Sequence, residues 1–238
     1  MDNAIYATLN RQSGLMREMQ TVANNIANVS TTGFRKEGVI FAEYVAALDG
    51  AEPSLSMANG DARQVNLAQG PLSQTGGTFD FAIEGDGFFM IETPEGNQLT
   101  RAGSFTPSAE GELVTQDGYK LLDTGGTPIT VPNDAGNVGM AQDGTLSANG
   151  IPLGQVGLYL PIDPNGLVHT GGTRFKAEAG TEPMEGGKIL QGYVEESNVD
   201  PMTEISRMIE VQRAYEMGQT FLDREDERIR SVVSTLSR

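Results

Sequence analysis

The stretch Ala23-Asn24-Asn25-Ile26-Ala27-Asn28-Val29-Ser30-Thr31-Thr32-Gly33-Phe34-Arg35 decides how the chain reads. Before it, apolar residues recur as Ile5, Leu9, Leu15/Met16, Met19, Val22, Ile26 and Val29, close to a seven-residue spacing. That spacing predicts one apolar stripe down a helix of several turns. Asn24 and Asn28 share a helix face beside the stripe. Asparagine is a mediocre helix former, so three of them near a helix end need a reason. One is that the helix frays toward Gly33, which can take the left-handed stop conformation. The other is that the amides bond a neighbouring chain once the stripe is packed. The two readings are compatible.

Working outward, the helix is expected from about Asn3 to Val29, with Gly14 as its weak interior point. Phe34 to about Ala47 is ambiguous between extended and helical. Asp49-Gly50 and Pro53 open a polar stretch to about Gly77, read as a linker with one or two short strands. From Thr78 the period becomes two: Phe79, Phe81 and Ile83 alternate with Asp80, Ala82 and Glu84, as in a half-buried strand. Phe88-Phe89-Met90-Ile91 resumes a strand after Gly85-Asp86-Gly87, and Glu95-Gly96-Asn97 turns again. Pairs such as Asp117-Gly118, Asp143-Gly144 and Asn149-Gly150 favour tight hairpins. Of 30 glycines, 27 lie between Gly38 and Gly192, so the middle is expected to be all-β with short antiparallel strands.

Asp200-Pro201 reverses the character, an Asp cap followed by Pro at the first helical position. Met208, Tyr215, Leu222, Ile229 and Leu236 then recur every seven residues, with Val211 and Val232 on the intermediate rung and Gly218 and Glu225 interrupting it. This predicts a helix of about 35 residues with a coiled-coil seam. The fold class is therefore α+β: long terminal helices bracketing a Gly-rich all-β middle. The expected segments are 1–36 (helix), 37–77 (linker), 78–197 (acidic β domain) and 198–238 (helix). A narrow stripe alone does not recover the ~1–2 kcal/mol of backbone entropy per ordered residue. The helices must pack on each other or on other copies.

Charge sharpens this division. The formal net charge is −16, which argues against nucleic acid as a partner. Residues 1–36 carry four basic and two acidic side chains and residues 198–238 carry six and eight, so the middle holds the excess. Near-neutral ends can pack closely, whereas an acidic middle repels its own kind. There is no cysteine, which excludes thiolate metal sites and disulfides. Neither a cleavable signal nor an 18-residue apolar run is visible.

Catalytic and cofactor chemistry finds little purchase. His169 is the single histidine, which excludes multi-His metal sites and most His-based triads. Gly85-Asp86-Gly87 is followed by strand rather than helix, so a dinucleotide loop fails its context test. Asp223, Glu225, Asp226 and Glu227 interleave with Arg224, Arg228 and Arg230, as on a solvated salt-bridged helix face. Paired carboxylates for glycan hydrolysis are compatible with the 22 acids of the middle, but nothing singles out a pair. No cofactor, metal, catalytic residue or small-molecule substrate is expected.

With both ends and the middle in view, the sequence resembles the bacterial flagellar rod, hook and hook-cap axial family. The resemblance is carried at the N-terminus by Ala23 to Asn28 with Thr32-Gly33-Phe34-Arg35. In the middle it is carried by Ala82 to Phe89, Thr100 to Phe105 and Gly111 to Tyr119. At the C-terminus it is carried by Glu196 to Asp200, Met208-Ile209 and Gln212 to Glu216. Met1 to Tyr6 and Asp223 to Arg228 look most like proximal-rod subunits, while Gln212 to Glu216 is shared with distal-rod ones. The resemblance implies a structural subunit of the basal-body rod, the drive shaft that transmits torque for motility. It implies partners among other copies and other rod proteins. It also implies passage through the flagellar export apparatus without cleavage and assembly in the periplasm. The expected assembly residues are Ile5, Met19, Asn24, Asn25, Ile26, Asn28, Gly33, Phe34, Met208, Gln212, Arg213, Tyr215, Leu222 and Ile229. Two other readings are a periplasmic glycan-binding or glycan-hydrolysing β domain and a β module with a dimerising coiled coil.

Overall fold

The computed structural model describes residues 2–46, 55–132 and 134–236. Met1, Ala47, the Asp49-Gly50 turn and Pro53 lie outside the described residues. Cα packing divides the chain into two compact units. One joins both helices to the strands that follow the first helix. The other holds residues 28–36 and Val65–Val199.

In the first unit, α1 spans Asp2–Ala27 and α2 spans Pro201–Leu236. The start of α2 is as expected: Asp200 Oδ1 accepts the Met202 and Thr203 amides at 2.9 and 3.3 Å. The helices run antiparallel. Gln12 meets Tyr215, Glu18 meets Arg207 and Asn25 meets Glu204, so partners descend along α2 as α1 ascends. The stretch read as a linker instead carries two long paired strands, β1 (Glu37–Ala46) and β2 (Leu55–Val65). β1 packs on α1, where a Cβ at Gly14 would lie 2.7 Å from the Phe41 ring. Gly14 is therefore a seat for an aromatic ring rather than a weak point.

The stripe on α2 also reads differently in three dimensions. Its positions withdrawn from solvent are Glu204, Met208, Val211, Tyr215, Gly218, Leu222 and Glu225, alternating four and three, with Ala214 beside the row. Gly218 and Glu225 thus belong to the stripe rather than interrupting it. At Gly218 a Cβ would stand 2.3 Å from Gln12 Nε2, so the missing side chain lets a polar side chain of α1 enter. Hydrophobicity alone misreads both positions, because the seam needs room at Gly218 and Glu225 is half-buried in an ion pair with Arg228.

The second unit is built mostly of short antiparallel strands. Strand Phe88–Thr93 is its spine, pairing antiparallel with Gly96–Thr100, with Lys120–Leu121 and with Leu158–Pro161. It is buried on both faces. Phe89 and Ile91 join a cluster with Phe81, Phe105, Leu113 and Leu146, while Phe88 and Met90 join Leu99, Leu167 and Phe175 on the other side. This accounts for four consecutive apolar residues in place of alternation. Phe81–Glu84 pairs with Lys188–Gln191. Thr145–Ala148 and Ile151–Gln155 are joined by Asn149 and Gly150 at φ 51° and 81°, the doubly positive geometry of a tight hairpin.

Candidate assembly faces and the buried clasp

The motif that opened the sequence reading splits between the two units. α1 ends at Ala27, two residues short of the expected Val29, and residues 28–36 join the β unit. Gly33 sits at φ 74°, in the left-handed region, and a Cβ there would meet the Ala102 amide nitrogen at 2.2 Å. Both constraints require glycine. Its N–H donates to Glu195 O at 2.7 Å. Phe34 is fully buried, edge-on to the His169 ring at 6.0 Å.

Next to them lies a cluster of charge that the sequence reading did not single out. The Glu195 carboxylate, 1% exposed, takes Arg35 Nη1 at 2.7 Å, Arg101 Nη1 at 2.9 Å and the Gly70 amide at 2.8 Å. Arg35 also donates to Ala68 O, and Arg101 to Gly85 O. Two guanidiniums on one carboxylate leave an excess positive charge in the interior. Burial accordingly pushes Arg35 down to about 10, against the opposing pull of Glu195, and lowers Arg101 for the same reason. Beside this clasp, Asn198 accepts the Lys36 amide at 2.7 Å and donates to Asn66 O and Ala68 O. Thr32-Gly33-Phe34-Arg35, Thr100-Arg101 and the run into Asn198 are therefore three parts of one lock. No periodicity links them, because their spacing along the chain is set by the length of the β unit.

Asn25 is also internal. Fully buried in the helical unit, it donates to Glu37 O at 2.8 Å and Glu204 Oε2 at 2.9 Å, and accepts the Glu37 amide at 3.0 Å. Its amide stands in for a peptide partner to β1 rather than reaching a neighbouring chain. Like Gly33 and Phe34 in the β unit, it is buried within the chain's own interior. Asn24 and Asn28 are half-buried, and Asn28 Oδ1 accepts the Thr31 hydroxyl. Ile5, Met19, Ile26, Met208, Tyr215 and Leu222 are half-buried along the helices, while Gln212, Arg213 and Ile229 are exposed.

The helical unit leaves apolar surface uncovered. Tyr6, Leu9 and Met16 are exposed on α1, as are Met217, Phe221, Ile229, Val232 and Leu236 on α2. The last three follow from register. With Gln12 opposite Tyr215, ten residues back to Asp2 correspond to ten residues forward to Glu225. The stripe continues on α2 through Ile229, Val232 and Leu236, ~15 Å beyond the first described residue of α1 at ~1.5 Å per residue. Between the helices, a groove of about 320 Å³ is lined by Leu15, Ala214, Met217 and Phe221 among others. Near the end of α2, Arg228 pairs with Glu225 and Arg230 with Asp226, the expected salt-bridged face. Among the described residues no group of His, Asp and Glu is placed to hold a metal ion. No described helix is long and apolar enough to cross a membrane.

Three family models match in chain order. They are a flagella basal body rod protein model over residues 5–35, a flagellar hook protein FlgE/F/G D1 domain over 82–148, and a flagellar basal body rod FlgEFG protein C-terminal model over 190–235. The chain is 42% identical over 245 aligned positions to the flagellar basal-body rod protein FlgF of Caulobacter vibrioides, covering 100% of this chain and 99% of the relative. It is 36% identical to FlgF of Rhizobium meliloti, covering 95% and 94%, and 30% identical to the rod protein FlgG of Bacillus subtilis, covering 98% and 99%. The Gly33–Arg35 and Asn198 halves of the clasp fall inside the first and last of these matches. By these matches the chain belongs to the flagellar basal-body rod protein family, most like FlgF, and is a structural component of the rod.

Proposed function

We propose that the chain builds the proximal part of the rod, joining other copies and other rod proteins through the ends of its helices. The observation that carries this is the stripe of α2 running past α1. Ile229, Val232 and Leu236 repeat the spacing of the covered positions and lie exposed, with no described residue of α1 opposite them. Burying each is worth about 2 kcal/mol, and three in one row favour continuation of the seam by a helix of a neighbouring copy as a coiled coil. Ile5, Met19, Ile26, Met208, Tyr215, Leu222, Gln212 and Arg213 border the same helices and would contribute at their exposed edges. Asn25, Gly33 and Phe34 would act on assembly only by holding the subunit's shape. The acidic β unit, repelled by its own kind, would face outward. Torque would pass through the close-packed seams.

In this reading the subunit leaves the cell through the flagellar export apparatus without cleavage, and the rod forms in the periplasm. It neither turns over nor holds a small-molecule substrate in that role. A place in the distal rod is the second reading, supported by the Gln212 to Glu216 run and the FlgG relative. The test is Ile229→Asp, an exposed position whose change leaves the α1–α2 contact alone. Helix content by circular dichroism should be retained, while rod assembly and swimming are lost. Normal basal bodies and motility in that variant would refute the proposal.

A further inference from the structure

A cavity of about 340 Å³ lies wholly within the β unit, walled by four turns that meet from distant parts of the chain. They are the segment after α1, the strand end at Thr100–Ser104, the Thr115–Asp117 turn and the Gly172–Arg174 turn. The volume falls in the range of small-molecule sites, ~300–1,000 Å³. Its lining is unusual for a packing defect, because it is dominated by hydroxyls. Those of Ser30, Thr32 and Ser104 have no hydrogen-bond partner among the described residues. Arg174 lies with its guanidinium 4.6 Å from the Tyr119 ring centroid, and its buried Nε has no partner. Asp117 lines the same cavity from an exposed turn.

We infer that this cavity binds a neutral, hydroxyl-rich ring, a single hexose or N-acetylhexosamine unit. The chemistry narrows the class. A ligand bearing several hydroxyls both donates and accepts. The cavity offers a matched set: a carboxylate that only accepts, a guanidinium that only donates, and hydroxyls that do either. A free oxyanion would find Arg174 but also Asp117, in a chain of net charge −16 that repels it. A wholly apolar ligand would leave the hydroxyls and both charges desolvated and unpaired. Arg174, held over the Tyr119 ring, is pre-organised, so little freedom is lost when it engages a ligand. The inference is independent of the helix seam, since no residue of the cavity lies in the helical unit.

The experiment is an amide chemical-shift titration of the isotope-labelled full chain with N-acetylglucosamine, with glucose, and with inorganic phosphate. A sugar should give saturable shifts clustered at residues 30–32, 102–104, 115–117 and 172–174. The dissociation constant should be about 1 mM, the range for one ring and a few hydrogen bonds. Asp117→Ala should keep the spectrum of the folded protein and weaken binding about tenfold, the loss of one charge-assisted hydrogen bond. Arg174→Gln should weaken it similarly. Absence of clustered shifts with either sugar up to about 50 mM, equal affinity in Asp117→Ala, or shifts produced by phosphate in place of the sugars would each overturn the inference.

Discussion

Replacing Glu195 with Gln keeps the shape of the clasp and removes the carboxylate that Arg35 and Arg101 share. Two charge-assisted hydrogen bonds, at 2.7 and 2.9 Å, become at best one ordinary one. At ~1.5–3 kcal/mol each the loss is about 3–6 kcal/mol, and breaking a buried ion pair gives a similar ~3–5 kcal/mol. Both guanidiniums stay at 2% exposure or less, so neither water nor salt can take the missing partner's place. Arg35→Met is the informative contrast. It leaves a one-to-one pair of Arg101 with Glu195 and removes a desolvated cation, so it should cost only about 1–2 kcal/mol. Urea unfolding followed by tyrosine fluorescence is the assay, since the chain has six Tyr and no Trp. The midpoint should fall by about 2 M for Glu195→Gln and far less for Arg35→Met. A pH series adds a sign. Burial lowers Arg35 from the ordinary guanidinium range to about 10 in the folded chain, so between the two the unfolded chain binds the extra proton. The Arg35 contribution to stability therefore rises with pH through that window, and wild type should gain on Arg35→Met from about pH 9 to about pH 11. The reasoning fails if Glu195→Gln lies within about 1 kcal/mol of wild type, or if Arg35→Met is as damaging as Glu195→Gln.

Two further outcomes concern the helical unit. Gly218→Ala displaces Gln12 and breaks its 2.9 Å bond to Tyr215 O, so it should destabilise by about 1 kcal/mol, whereas in a Gln12→Ala background the same change should stabilise by up to ~1 kcal/mol through helix propensity. A double-mutant cycle read by thermal denaturation checks the reversal, and the same sign in both backgrounds would rule out the proposed crowding. Asn25→Asp sets a carboxylate where the amide now meets Glu204 at 2.9 Å. Like charges raise the folded-state pKa of the pair, so the unfolded chain loses its protons first and stability should fall as pH rises above about 4. A flat pH profile from about 4 to 7 in that variant would contradict the contact.

The parts of the fold legible in sequence were those where one residue type repeats at a fixed interval. The α1 stripe, the α2 start at Asp200-Pro201 and the Asn149-Gly150 hairpin each carry their own local signal. β1 was ambiguous because Val39-Ile40-Phe41 satisfies both periods, and only its seat on Gly14 decides for a strand. Gly218 and Glu225 looked like breaks because a stripe can also include a position left empty for a neighbour's side chain and a half-buried paired charge. The clasp was out of reach for a different reason. Arg35 and Arg101 lie in separate motifs and Glu195 in none, and only tertiary structure gathers them. Gly33 alone announced itself, through the left-handed turn it supports.

The stitch between Lys36 and Asn198 spans 162 positions. A polypeptide emerging with its amino end leading cannot shut this latch until nearly its whole length has appeared. Until then Arg35 lacks the carboxylate of Glu195 that it pairs with at 2.7 Å. Loop closure on this scale also makes the final snap slow compared with forming a helix. The interior of the β unit thus closes last, when the segment around Glu195 and Asn198 joins it.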